Sequence, residues 1–401
     1  MKKVLLMLGL ILLLVSCNRE VPQQDPLTYD QALINARGTR VNFYMWGGSA
    51  TINTWIDDYV AREVKERFDI DLNRVPMDAE VFVNKLLTEK QAGKNKGTID
   101  LVWINGENFK NARQAGLLRG PIADSLPNFK AYIDPKSVEF DFGFPVKNYE
   151  VPYGKAQFVF IFDSAKTAKT FDSPASLEEW VIQHPGKFTY AQPPDFTGSA
   201  FLRQIFYGLT GGYQQYMQGF DKQLYLEKSP LVWSWLNRLK PYLWQQGKSY
   251  PRDSTALELL FQRGEVDINM SYYQAFAANK IMEGKYPSTV RTFVMDHNSI
   301  YNNHFTAIPF NAPNLSGAMV VSNFLLSPEA QLSKNTPLNW GDFTVLDMEK
   351  LPVATRQDFE KLDLGDATLD IDVLNRNAVP EIPSDYLTRL ETDWRRFVLE
   401  E

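Results

Sequence analysis

From residue 41 onward the apolar and polar positions alternate between two patterns. Val41-Asn42-Phe43-Tyr44-Met45-Trp46 reads as a strand that stops at Gly47-Gly48-Ser49. Ile52, Trp55, Ile56, Tyr59, Val60, Val64 and Phe68 then recur every three or four residues. That spacing places them on one helical face, with Ser49 or Thr51 as the N-cap. Residues 69–77 predict a second strand, 79–92 a helix ended by Gly93, and 100–104 a third strand stopping at Asn105-Gly106. Strand–helix–strand–helix–strand predicts a parallel sheet with right-handed crossovers.

The middle of the chain repeats this grammar. Residues 158–162 form a continuous apolar strand, 177–182 a helix, 188–190 an extended piece and 201–209 another helix. An aromatic-rich helix over 230–246 should be kinked or broken by Pro241. A helix at 256–262, strands at 266–270 and 291–295, an extended crossing at 305–310 and a buried helix near 318–326 follow. Beyond residue 335 the charge rises and the pattern predicts peripheral helices.

The ends bound the compartment. Lys2 and Lys3 precede an apolar run over residues 4–15, then Ser16 and Cys17. A basic start and a run this short fit an export signal and not a spanning helix. Leu14-Val15-Ser16-Cys17 matches the lipobox, in which the cysteine is acylated and becomes the new N-terminus. Cys17 is the only cysteine, so no internal disulfide is available and lipid attachment gives it a use. Losing the two lysines lowers the formal charge from −6 to −8, and no basic run remains, which argues against nucleic acid as a partner.

The 385 residues after the signal exceed what one core usually supports, so two lobes are expected. The reading is an α/β chain divided into a signal at 1–16, a lipid-anchored tether at 17–39, lobe 1 at 40–157 plus 301–335, and lobe 2 at 158–300 plus 336–401. Segments 157–162 and 305–310 are expected to link the lobes. Ligands of open parallel sheets sit beyond the carboxyl ends of strands. Trp46-Gly47-Gly48-Ser49 and Asn105-Gly106-Glu107 occupy such ends in lobe 1. Asp195-Phe196-Thr197 and Tyr272-Tyr273 are their counterparts in lobe 2, and only one of the two tyrosines should face the cleft. Tyr153 and Asn302, close to the linking segments, complete the set. Each has a plain alternative: Trp46 as a core plug, Ser49 and Thr197 as caps, Asn105 and Glu107 as parts of a hydrogen-bonded turn.

Several stretches carry a resemblance. They are Trp103-Ile104-Asn105-Gly106-Glu107-Asn108-Phe109, Val151-Pro152-Tyr153-Gly154-Lys155-Ala156-Gln157, Pro193-Pro194-Asp195-Phe196-Thr197-Gly198-Ser199-Ala200-Phe201, Ala307-Ile308-Pro309, and Asn323 through Gln331. Together the chain resembles the extracellular solute-binding proteins of bacterial ABC importers, and within them the YnjB family, relatives of thiamine-, polyamine- and iron-binding members. The resemblance implies a two-lobed, type II-like periplasmic-binding-protein fold, each lobe a mainly parallel sheet flanked by helices. It also implies a small-molecule solute, docking on a permease with its ATPase, a monomer, and no cofactor.

Catalysis finds little support. Neither Gly47-Gly48-Ser49-Ala50 nor Thr197-Gly198-Ser199-Ala200 completes a nucleophile turn. His184 reads as a turn residue, and His297 and His304 as parts of an Asn-rich loop, so no metal-ligand spacing emerges. The alternatives from other classes are an envelope lipoprotein hydrolase acting on a polymer, which would need a catalytic pair in the cleft, and an adhesive lipoprotein. Aromatic faces with a carboxylate suit an organic cation, thiamine-like in the first instance. Polyamine or iron transport stand as alternatives. Cys17→Ser is expected to release the mature protein from the membrane fraction or stall its processing; fractionation of cells with labelled fatty acid checks this, and a soluble, unacylated wild type would contradict it.

Overall fold

The computed structural model describes residues 27–168 and 170–400; Cys17 and the start of the tether lie outside the described residues. Lobe 1 is built as the alternating pattern requires. Thr39–Met45 pairs in parallel with Ile70–Pro76 on one side and Leu101–Ile104 on the other. The intervening helical stretch, Ala50 to Phe68, presents Trp55, Ile56, Val60 and Val64 to the core. Ala79–Gln91 supplies the second crossover helix, burying Phe82, Val83 and Leu86.

The long strand Ser299–Pro309 changes direction. It lies antiparallel to Leu101–Ile104, Leu118–Arg119 and Glu150–Gln157, and parallel to the short Ala378–Pro380. Lobe 2 is centred on Val159–Asp163, which is antiparallel to both Ile268–Ser271 and Val290–Phe293. Its core is aromatic, with Phe158, Phe160, Phe201, Tyr190 and Trp394 buried together. No helix of the described residues is long and apolar enough to cross a membrane.

The architecture is two-lobed α/β, and four details differ from the sequence expectation. Parallel pairing is found among the opening strands of lobe 1 and in the short contact of Ser299–Tyr301 with Ala378–Pro380; around Val159–Asp163 the partners return from about a hundred residues away, and the helices between them reverse the chain. The first lobe crossing falls at Gln157-Phe158, within the expected segment, but the return is at Ile300 and not at 305–310. Phe158 N donates to Ile300 O there, whereas Phe305, Ala307 and Ile308 are core residues of lobe 1. Residues 336–362 belong with lobe 1, because Trp340, Leu346, Leu351 and Phe359 bury there despite the charges between them. Phe343 reaches the lobe 2 core from that stretch, and from about Ala367 the chain joins lobe 2, where Leu374, Tyr386, Leu390 and Trp394 are core and not peripheral. Pro230 sits inside the helix Lys222–Leu239, which begins earlier than its apolar pattern suggested and stops before Pro241.

The tether boundary also moves. Tyr29–Ala36 is a helix with a Thr28/Gln31 capping box, and Ala32 and Ala36 are fully buried. Tyr29 Oη accepts a 2.9 Å bond from Asn323 Nδ2, at the end of the buried helix Leu315–Leu325. The segment is part of the lobe 1 core layer. Deleting residues 27–38 is therefore expected to lower stability by about 2 kcal/mol or more, the scale of losing one or two buried apolar side chains. Denaturant unfolding of the two chains measures it; equal midpoints would show that the helix is only a tether.

Candidate functional site

In lobe 1 the first strand ends with Trp46 swung outward, 48 % exposed and not a core plug. Its indole lies over Gly48 so closely that a Cβ there would overlap the ring, and a Cβ on Gly47 would come 2.7 Å from Pro76 Cβ. The glycines thus make room for Trp46 and for the neighbouring strand end. Ser49 caps the following helix, accepting from Ile52 N at 3.4 Å, and Asn53 Nδ2 donates to Gly47 O at 2.9 Å. Ser49 takes the cap role.

The third strand ends in a different device. Gly106 has φ +61° and donates its N–H to the buried Asp141 Oδ2 at 2.5 Å. Asn105 stands at the N-cap position with no capping bond, leaving its amide unspent. Glu107 projects from the first helical turn and accepts from Thr388 Oγ1 at 3.1 Å, on lobe 2. Lys110, one turn on, pairs with Asp385 of lobe 2 at 2.6 Å. The hairpin Phe140–Asp141 and Phe144–Pro145 reaches across beside them: Phe142 O accepts from Ser384 N at 3.3 Å, and the Phe142 ring lies 6.5 Å from that of Phe196.

On lobe 2 the expected residues divide by role. Asp195 caps the helix Phe196–Thr210, accepting from Thr197 N and Gly198 N through Oδ1 and from Ser254 N through Oδ2. Both oxygens are spent on backbone, so Asp195 is not a free countercharge. Thr197 is buried within that cap. Phe196 is 44 % exposed, with its ring 5.0 Å from that of Tyr272. Tyr272 turns inward, its hydroxyl donating to Glu381 Oε1 at 2.6 Å. Tyr273 turns the other way and donates to Trp340 O of lobe 1, as the period of an extended chain requires. Neither tyrosine meets Trp46.

The floor between the lobes was not legible as a site. His304 lies on the long strand, not in a loop: backbone pairing of 301–307 overrides the low strand propensity of Asn302 and Asn303. Its Nε2 is 3.2 Å from Asp342 Oδ1, and Asp342 Oδ2 accepts from the fully buried Lys334 at 2.6 Å. Against the effect of burial, Lys334 and His304 hold the Asp342 carboxyl below its usual range. The rings of Trp103, Tyr153 and Trp340 gather around His304 at 4.9 to 6.0 Å. Tyr153 is wholly buried and its hydroxyl has no partner, so it supports the floor and does not line it. Asn302 is likewise buried, with neither amide atom bonded.

Beneath Phe196 runs a hydrogen-bonded chain that local sequence pattern does not reveal. Arg203 forms a buried fork with Glu381, 2.7 Å at each arm, and donates to Ser199 Oγ at 2.7 Å. Ser199 Oγ in turn donates to Glu391 Oε1 at 2.5 Å. Burial pushes the Glu391 carboxyl up, and the facing Glu107 adds to that, against the pull of Ser199 and Arg203. Spacing of four between Ser199 and Arg203 was visible, but their acidic partners come from nearly two hundred residues away. Two concave regions of about 230 and 440 Å³ lie elsewhere, beside Tyr213 and His297 and beside Arg67 and Phe324. The facing side chains define the candidate site. Among the described residues no group of three or more His, Asp, Glu or Cys is gathered that could hold a metal ion.

Comparison with known proteins gives concordant matches. Residues 59–341 match the family described as bacterial extracellular solute-binding protein. Protein YnjB of Escherichia coli (strain K12) is 38% identical over 328 residues, 81% of this chain and 84% of that protein. Among solved structures, the spermidine/putrescine ABC transporter substrate-binding protein PotD of Streptococcus pneumoniae superposes with a TM-score of 0.62 at 16% identity, covering 90% of this chain and 99% of the other. A periplasmic thiamin binding protein superposes at 0.57 and 18% identity, covering 90% and 96%. At such identities the structures speak for the fold alone.

Because Arg203 and Glu381 are both out of water, removing one strands the other. Arg203→Ala is expected to destabilise by about 3–5 kcal/mol, whereas Arg203→Met combined with Glu381→Leu should be much milder. Urea unfolding of both variants measures the contrast; equal losses would mean that the pair is not the issue.

Proposed function

The chain belongs to the bacterial extracellular solute-binding proteins, and from that membership and the geometry above we propose that it captures a small organic cation by closure of its lobes. As a substrate-binding protein of an ABC importer for small solutes it is not an enzyme. The finer reading is a lipid-anchored monomer that delivers a thiamine-like cation to a membrane permease and its ATPase.

One observation carries the charge assignment. On the two closing faces Arg203 is matched by Glu381 and Lys110 by Asp385, while Glu107 of lobe 1 and Glu391 of lobe 2 have no ion-pair partner among the described residues. Two carboxylates brought together as the lobes close repel, and a cation between them turns that repulsion into two attractions. Phe196 and Trp46, both partly exposed, offer faces to a heteroaromatic ring or an ammonium group. Asn105 supplies an amide at the same edge. Tyr272 and Tyr273 take no part in this arrangement, since they are committed to Glu381 and Trp340.

A ligand that touches both lobes favours the closed form by its differential affinity. Calorimetry on thiamine, its phosphates, spermidine and putrescine is expected to find a cationic binder. Glu107→Gln and Glu391→Gln should each weaken it about ten- to a hundredfold, the value of one charge-assisted hydrogen bond, with little change in stability. Binding of only an anion or a neutral sugar, or full affinity in both variants, would refute the reading.

A further inference from the structure

Glu150 is an anomaly. It opens the strand Glu150–Gln157, opposite Ala307 of the long strand in lobe 1, and is 1 % exposed. Neither carboxyl oxygen meets a hydrogen-bond donor among the described residues. The nearest charged groups are Asp141, itself buried, and Arg113, whose guanidinium is stacked 3.2 Å over the Tyr149 ring and whose Nε is also unbonded. An ionised carboxylate with no donor in such a place is far costlier than the neutral acid.

Asp141 ties this buried acid to the movement of the lobes. It stands at the base of the hairpin whose tip, Phe142-Gly143, docks on lobe 2. Phe142 lies 5.7 Å from the Arg203 guanidinium, and a Cβ on Gly143 would come 2.7 Å from Pro383 Cγ. Through the Gly106 N–H, Asp141 also anchors the turn that presents Glu107 and Lys110 to lobe 2. The charged groups facing it are Glu381 from lobe 2 and Glu150 from the lobe 1 sheet. Glu381 is already paired to Arg203, and Arg113 is the cation on the Glu150 side.

We propose that Asp141 and Glu150 are a proton-controlled element of the hinge: protonated, they let the hairpin seat on lobe 2, and ionised, they drive it off. The inference rests on lobe closure, but not on the solute being a cation. Burial raises both carboxyls well above their ordinary values; Asp141 raises Glu150 further, and Glu381 does the same to Asp141. For an acid raised in the folded, closed form, the contribution is complete below the ordinary value near 4 and is lost as pH climbs through the raised value. Closure, and with it solute retention, therefore weakens toward alkaline pH.

The test uses the ligand-free mature protein. Small-angle scattering from pH 5 to 9 is expected to show a radius of gyration that grows with pH in the wild type. The growth should be smaller in Asp141→Asn and in Glu150→Gln, and absent when both changes are combined, with near-ultraviolet circular dichroism confirming that each chain stays folded. Should the variants fold poorly, infrared spectra of the wild type decide: a protonated-carboxyl band present at pH 6 should fade over the range in which the radius grows. A radius independent of pH, an unchanged response in the double variant, or no such band at pH 6 would overturn the proposal. Calorimetry at one fixed pH tests the cation reading separately, so either can fail alone.

Discussion

The backbone hydrogen bonds of the strand Ser299–Pro309 set the geometry on which every other feature depends. Its first residues pair with Ala378–Pro380 and meet the crossing at Gln157-Phe158, while its later residues close the lobe 1 sheet against Leu101–Ile104 and Glu150–Gln157. One rigid ladder thus holds three chain passages side by side. Gln157 reinforces the joint, its amide donating to Ser299 Oγ at 3.0 Å and Leu374 O at 2.9 Å. A ladder of this kind leaves rotation between lobes to the few residues where pairing stops, which is how a hinge absorbs motion without disturbing either core.

Around that joint the two faces of the molecule are held by different physics. Toward Tyr273 and Asn279 the contact is neutral, with both side chains donating to the carbonyl of Trp340. Toward Glu107, Glu391, Asp141 and Glu381 it is dominated by carboxylates, with Arg203 and Lys110 as the facing cations among the described residues. An excess of acid at a surface that closes is destabilising unless something positive enters or protons bind. In the two proposals made above, cation capture and proton uptake relieve the same repulsion, acting at opposite ends of the Gly106 turn.

The strand-end turns show how a cap and an exposed ring share one turn. Ser49 and Asp195 spend their side chains on helix N–H groups, as small polar residues at N-caps do. Their neighbours Trp46 and Phe196 are left exposed by the same turns, because the cap fixes where the chain leaves the strand and the next ring has no core to enter. A turn signature therefore does not say which side chain the cap consumes and which ring it leaves exposed.

The local sequence determined the order of elements, the parallel opening of lobe 1, the division into two lobes and the cluster of turns at strand ends, because hydrophobic period and turn chemistry act within a few residues. The resemblance of those turns to solute-binding proteins was carried by the same stretches. Tertiary structure decided the rest. It placed His304 in a strand through pairing with distant Gly154, moved Trp340 to Phe359 into lobe 1, and made 29–36 a packed helix. It also brought Glu381 and Glu391 to Arg203 and Ser199, and Asp141 to Gly106. A carboxylate's role depends on who faces it and how little water remains, and neither is written in the residues beside it.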